Sequence, residues 1–249
     1  MLYRPFDRNS ASGFTMVELA ISLTVIGLLL GGILKGEELL GNVRATRTIT
    51  DIQRINQAIN SFREVYDGAL PGDFKFPSTR IPNCTTTPCT TAGNGDGIIG
   101  GTNSSFTATL SFASTTENAV MWSHLATAGY LPYHPVEQSS NVIAQQGPGD
   151  ASFDPVYYER TTASGGYPII YGHYLLAKFT PSNAAAAVNA GDYGAFTPRQ
   201  AAQIDRKLDD GLPYSGNIFG VSNTAACFNG TSYNESVDLK NCNLLSKLK

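Results

Sequence analysis

Charge is scarce in this chain. Asp, Glu, Lys and Arg make up 15% of its 249 residues and sum to −3, with a pI near 5.6. A protein that tracks a phosphate backbone needs a clustered basic face, so this balance gives no strong nucleic-acid site. Catalytic signatures are absent as well. There is no Gly-x-Ser-x-Gly elbow, no His-Glu-x-x-His pair, no phosphate-binding loop and no cysteine-nucleophile pattern. His124 and His134 lie close in sequence, but no third ligand stands at a zinc spacing, and ordinary structural or surface histidines are the expectation. The chain therefore reads as a non-enzyme without a required cofactor. Cysteine is sparse too, and the four present fall into two local pairs, Cys84 with Cys89 and Cys227 with Cys242. An even number in close pairs favours disulfides in an oxidising compartment, although four cysteines allow about three connectivities.

What the chain does have is one long apolar run, Gly13 to Leu34, interrupted only by Glu18. As a helix from Phe14 to Leu34 it rises roughly 31 Å, close to the roughly 30 Å hydrocarbon core of a bilayer. The leader before it carries Arg4, Asp7 and Arg8, and its mild basic bias keeps the N-terminus on the cytoplasmic side. A secretory cleavage site is expected after the apolar run, yet Lys35-Gly36-Glu37-Glu38 offers no Ala-x-Ala pattern, so the segment stays with the mature protein. A carboxylate at membrane depth is costly unless it finds a partner, which marks Glu18 as functional.

The segment Gly13-Phe14-Thr15-Met16-Val17-Glu18-Leu19 resembles the processing site of type IV prepilins and type II secretion pseudopilins. That resemblance implies cleavage after Gly13 by a prepilin peptidase and methylation of the new N-terminal Phe14. It also implies that the amine of one Phe14 neutralises Glu18 of a neighbouring subunit during assembly. Two departures stand out: Ser12 occupies the place of a common Lys before the cleaved Gly, and Lys35 stands where major pilins often carry a kinking Pro. Gly27, Gly31, Gly32 and Gly36 supply the softness instead.

Beyond the span, Leu39, Val43, Ile49, Ile52, Ile55, Ile59, Phe62 and Tyr66 recur at mostly three- and four-residue intervals among charged residues, which predicts an amphipathic helix continuing to Tyr66. Asp67-Gly68 ends it, and Pro77 and Pro82 continue as loop. The Gly-rich stretch Gly93 to Gly101 is the best candidate calcium loop through Asn94 and Asp96. It lacks carboxylates, and Ser105 holds the position of the bidentate Glu, so a turn held by the Asn94 and Asp96 side chains is the stronger expectation. Glu117 to Tyr130 reads as a helix, Phe153 to Glu159 and Tyr167 to Phe179 as strands, and Thr197-Pro198 as the start of a capped helix carrying Ala201, Ala202, Ile204 and Leu208. Asp205, Asp209 and Asp210 are a weaker cation candidate beside Arg206 and Lys207, with a solvated helix end the stronger reading. Segments Leu70 to Phe74 and Ile204 to Gly216 also resemble a subset of prepilin-like proteins.

The expected fold class is α+β, a long N-terminal helix packed on a C-terminal domain with antiparallel sheet and short helices. Its parts are a leader (1–13), the long helix (14–66, membrane-spanning over 14–34) and a periplasmic or extracellular domain (67–249). The expected role is a minor pilin or pseudopilin that moves from the inner membrane into a pilus or pseudopilus. Its expected partners are the prepilin peptidase, other subunits, the inner membrane and its assembly platform. The other reading is a membrane-tethered binding or adhesion module.

Overall fold

The computed structural model describes residues 14–103, 115–132, 135–138, 142–148, 151–161, 168–179, 194–222 and 226–249. The leader, Ser105, His134 and Tyr167 lie outside them. The fold is α+β, and the chain forms two compact units, one ending at Asn42 and one beginning at Val43.

The first unit is helical. Helix α1 (Met16–Val65) begins in it, and the window Met16–Ile33 has a mean hydropathy of 2.1 with none of it buried. This is the one helix among the described residues long and apolar enough to cross a membrane. Within it the Thr24 hydroxyl is satisfied locally, donating back to the carbonyls of Ala20 (2.9 Å) and Ile21 (2.8 Å).

In the second unit the apolar stripe of α1 finds its core. Ile52, Ile55, Ile59, Phe62 and Tyr66 are all buried, and Ala45 and Thr48 are the first residues covered. Leu39 and Val43, which the periodicity assigns to the same stripe, are exposed. Spacing alone marks a face as apolar, but it does not say where the covering domain begins.

The helix packs with α3 (Glu117–Thr127), α4 (Pro198–Leu208) and an antiparallel sheet. Along the sheet the order is β2 (Pro135–Gln138), β3 (Val142–Gln146), β4 (Ala151–Arg160), β5 (Ile170–Phe179), β9 (Asn243–Lys247) and β6 (Ile218–Val221). A two-residue strand β1 (Thr102–Asn103) pairs in parallel with β4. The pair β4 and β5 is the spine, in continuous register from Ala151↔Phe179 to Arg160↔Ile170. Side chains alternate across it. Phe153, Leu175 and Ala177 join the core under α1, while Val156, Tyr158, Ile170, Tyr174 and Leu176 form a second core with Phe219, Val221 and Leu245. With both faces covered, every residue of β4 except Glu159 is buried, including the polar Ser152, Asp154 and Arg160. Asp154 and Lys178 form a buried ion pair at 3.2 Å within the sheet. Burial raises the Asp154 pKa, and Lys178 pulls it back.

Smaller features complete the unit. The loop expected across Pro77 to Pro82 contains one helical turn, α2 (Pro77–Arg80), because Pro77 at its start already has the backbone angle a helix needs. Helix α4 opens with a full capping box: Gln200 N–H donates to Thr197 Oγ1 at 3.3 Å, and Thr197 N–H donates to Gln200 Oε1 at 3.1 Å. A hairpin of β7 (Phe228–Asn229) and β8 (Ser232–Tyr233) follows β6. The disulfides join Cys84 to Cys89 and Cys227 to Cys242. All four cysteines are buried in the main core, so the first bridge belongs to the packing of the domain as well as to its own loop.

Candidate processing and assembly site

Phe14 leads into α1 and is 81% exposed. Thr15 and Glu18 then close a reciprocal cap. Thr15 N–H and its hydroxyl both donate to Glu18 Oε2, at 3.0 and 2.9 Å, and Glu18 N–H donates to Thr15 Oγ1 at 3.2 Å. The first turn of a helix has unpaired amides and a partial positive charge, and a Thr-x-x-Glu sequence satisfies both. Glu18 thus stabilises its own helix through Oε2, while Oε1 takes no hydrogen bond from the described residues. One carboxylate oxygen therefore remains available to a cation. Gly13 lies outside the described residues. The Thr15 contribution could have been found in the sequence from the Thr-x-x-Glu spacing.

The other candidates are spread over the globular unit. In the Gly-rich loop the backbone amides converge on acids. Gly95, Asp96 (3.2 Å) and Gly97 (2.8 Å) donate to the Asp73 carboxylate, and Asn94 (3.0 Å) and Gly100 (2.8 Å) donate to Glu117. Gly95 and Gly97 sit at φ of +70° and +84°, the left-handed backbone that turns successive amides inward. Asn94 and Asp96 bond each other, Nδ2 to Oδ2 at 2.8 Å, and Asp96 Oδ1 accepts from Ile98 N–H at 2.8 Å. The loop is thus a nest built around two carboxylates of the chain. Burial pushes the Glu117 pKa up, and its two amide donors oppose that shift.

His124 is fully buried. Its Nδ1 accepts from Gly72 N–H at 3.0 Å, and its Nε2 lies 2.9 Å from the Cys89 carbonyl, to which it donates in the neutral tautomer this arrangement requires. His173 Nε2 accepts from Ile99 N–H at 3.0 Å. Burial is the main cause that holds both imidazoles at a pKa of about 4, well below the ordinary histidine value. His124 thus ties two loops to α3, and His173 ties the Gly-rich loop to β5.

Asp205, Asp209 and Asp210 come close enough together to share a cation. Their oxygens are engaged by the chain. Asp205 accepts from Tyr233 OH (2.7 Å) and Gly211 N–H (3.0 Å), Asp209 from the amides of Asn217 and Ile218, and Asp210 from Leu212 N–H (2.9 Å) and Ser215 Oγ (2.5 Å). Burial pushes the Asp205 carboxyl up to about 6, its two acidic neighbours add to the rise, and the Tyr233 and Gly211 donors counter it. The cluster organises the exit from α4.

No curated protein and no solved structure matches the chain. A family model described as the prokaryotic N-terminal methylation motif matches residues 8–34, which takes in Gly13, Phe14, the Thr15–Glu18 cap and the apolar span. The chain thus carries the prokaryotic N-terminal methylation motif, the mark of a type IV pilin-like or pseudopilin-like precursor.

Proposed function

We propose that the chain is a minor pilin or pseudopilin, cut after Gly13 by a prepilin peptidase and assembled through its N-terminal helix into a type IV pilus or a type II secretion pseudopilus. The observation that carries this reading is the methylation motif set directly on a bare apolar window, Met16–Ile33, whose one acid, Glu18, keeps an oxygen free. In the membrane, lipid covers Met16 to Ile33. In a filament, the same face packs against other subunits. Exposed Leu39, Leu40 and Val43 extend the apolar surface beyond a single bilayer span, which suits contact with protein. The domain from residue 67 onward is periplasmic before assembly, and the inner-membrane platform hands the subunit to the filament.

Mass spectrometry of the native protein tests the first step. The expected N-terminal residue is Phe14 bearing one added methyl group. An intact leader, or a new terminus after residue 34, would remove the basis of the proposal.

The subunit needs no bound metal for its fold on this reading, because the Gly-rich loop is closed by Asp73 and Glu117. Removing the Asp73 carboxylate strands the Gly95 and Gly97 amides, while Asp96 N–H keeps Asn94 Oδ1 at 2.8 Å, and each hydrogen bond to a charged group contributes about 1.5–3 kcal/mol. Asp73→Ala should therefore lower the urea midpoint measurably, whereas millimolar calcium or EDTA should leave the wild-type midpoint where it is. A calcium-dependent rise that Asp96→Ala abolishes would instead make Asn94 and Asp96 cation ligands.

A further inference from the structure

The two long strands carry a pair of opposite charges where the sheet is best shielded. Asp154 on β4 and Lys178 on β5 belong to interior strands, each flanked on both sides, and their side chains are only 1% and 7% exposed. Asp154 stands opposite Leu176, so Lys178 is its diagonal neighbour on the same face, with Nζ 3.2 Å from Oδ2. Among the described residues, neither carboxylate oxygen accepts a hydrogen bond of good geometry. Ser152, directly opposite Lys178 and on the same face as Asp154, adds a buried hydroxyl that also has no hydrogen-bond partner among them.

A buried ion pair repays its desolvation only when further hydrogen bonds satisfy the remaining lone pairs, and the Asp154 carboxylate lacks them. Proton transfer inside the pair, from ammonium to carboxylate, removes both charges. Burial, the main cause that raises the Asp154 pKa, favours that transfer. It leaves a neutral amine against a neutral carboxyl group, and reacting groups held about 3–3.5 Å apart reach effective molarities of about 10⁵–10⁸ M. We propose that Lys178 and Asp154 condense into an isopeptide bond that joins β5 to β4. The Lys178 nitrogen attacks Asp154 Cγ, the C–N bond forms and the C–OH bond breaks. The hydroxyl leaves as water, with a proton that passes from the nitrogen through the Ser152 hydroxyl. No oxidant and no second substrate is consumed. The product ties the spine of the sheet covalently, and it forms in the folded subunit whether or not the leader is cut or a filament is built.

The test is mass spectrometry of the full chain purified in non-ionic detergent. Counted from whichever N-terminus is found, the mass should be lower by one water than that of the sequence with its two disulfides. After unfolding, trypsin should fail to cut at Lys178, and the peptide ending at Arg160 should be joined to the one that contains Lys178. Lys178→Met should keep the full mass. Asp154-Pro155, the chain's one Asp-Pro bond, gives a second readout, because acid opens such a bond with the help of the free Asp carboxyl. In hot dilute acid it should survive in the wild type and break in Lys178→Met. In Ser152→Ala the loss of water after synthesis should be at least tenfold slower at unchanged Trp122 fluorescence, and closure at the wild-type rate would remove Ser152 from the proton path. A wild type of full mass with Lys178 cut by trypsin would overturn the assignment. So would acid cleavage of wild type and Lys178→Met alike, or a water loss confined to one linear peptide, the mark of a cyclic imide at an Asp-Gly step.

Discussion

His124→Ala is expected to lower the free energy of unfolding by about 3–4 kcal/mol, which combines loss of a buried ring with two orphaned backbone partners. The imidazole joins Gly72 N–H to the Cys89 carbonyl and stacks at 6.3 Å from Phe62, so one side chain ties α3 to α1 and to the disulfide loop. The backbone at Gly72 has no freedom to repair the loss. Its φ is +90°, and a Cβ there would meet the Glu117 carbonyl oxygen at 2.4 Å. Trp122, the chain's one tryptophan, is buried in the same helix and provides the fluorescence signal for a urea titration of the full chain. A midpoint shifted by no more than a surface substitution would show that the crosslink contributes little.

The same histidines set a pH dependence. Their folded pKa of about 4 lies below the ordinary 6.5, so the unfolded chain binds more protons between those values. Their contribution is complete above about pH 6.5 and is lost as pH falls through about 4. Asp205, raised to about 6, works in the opposite direction: its contribution is present below the ordinary 3.8 and disappears as pH rises through 6. Asp154, Glu117 and Asp51 are raised as well and act in the same direction as Asp205, so the histidine share is read as a difference between variants. Protonation at His124 Nδ1 also places a second donor against Gly72 N–H. The fall in urea midpoint from pH 7 to pH 4.5 should therefore be larger in the wild type than in a His124→Ala, His173→Ala double variant, and an equal fall would contradict the assignment of both rings as neutral acceptors.

Elements with strong local signals were legible before the structure. The apolar run, the stripe from Ile52 to Tyr66, the Thr197-Pro198 helix start and the two long strands all carry period, caps or length in the residues themselves. Short strands were not. Neither β6, Ile-Phe-Gly-Val, nor β9, Asn-Leu-Leu-Ser-Lys, is long enough to show a period, and β9 is a strand because it completes the sheet between β5 and β6. The second core was hidden for a related reason. Its residues alternate with those of the first along β4 and β5, and both sets are apolar. At the candidate site, the methylation motif over residues 8–34 was readable through its fixed spacing, while the capture of the Gly-rich loop by Asp73 was not. That contact joins residues more than twenty positions apart, and only the folded backbone aims the amides.

Glu18→Ala is expected to reduce incorporation into filaments at least tenfold while cleavage after Gly13 and insertion in the membrane continue. A carboxylate near membrane depth costs about 2.5–3.5 kcal/mol at the helix centre on insertion scales and less toward the interface, so the residue burdens the monomer. Its intrahelical cap offsets part of that cost through Oε2, and on the proposed function pairing of the remaining oxygen with the amine of a neighbouring Phe14 would supply a gain available only in the assembly. Alanine removes the cap and the charge together, so it does not separate them. Glu18→Gln does, because glutamine serves as the third residue of a capping box but carries no charge to meet an amine. Thr15→Val is the complement, breaking the hydroxyl half of the cap while leaving the carboxylate ionisable. If the charge governs assembly, Glu18→Gln should fail nearly as badly as Glu18→Ala, and Thr15→Val should assemble within a few-fold of wild type. Wild-type incorporation of Glu18→Gln would instead reduce Glu18 to a cap of its own helix, and the contact between subunits would have to be sought elsewhere along the apolar face.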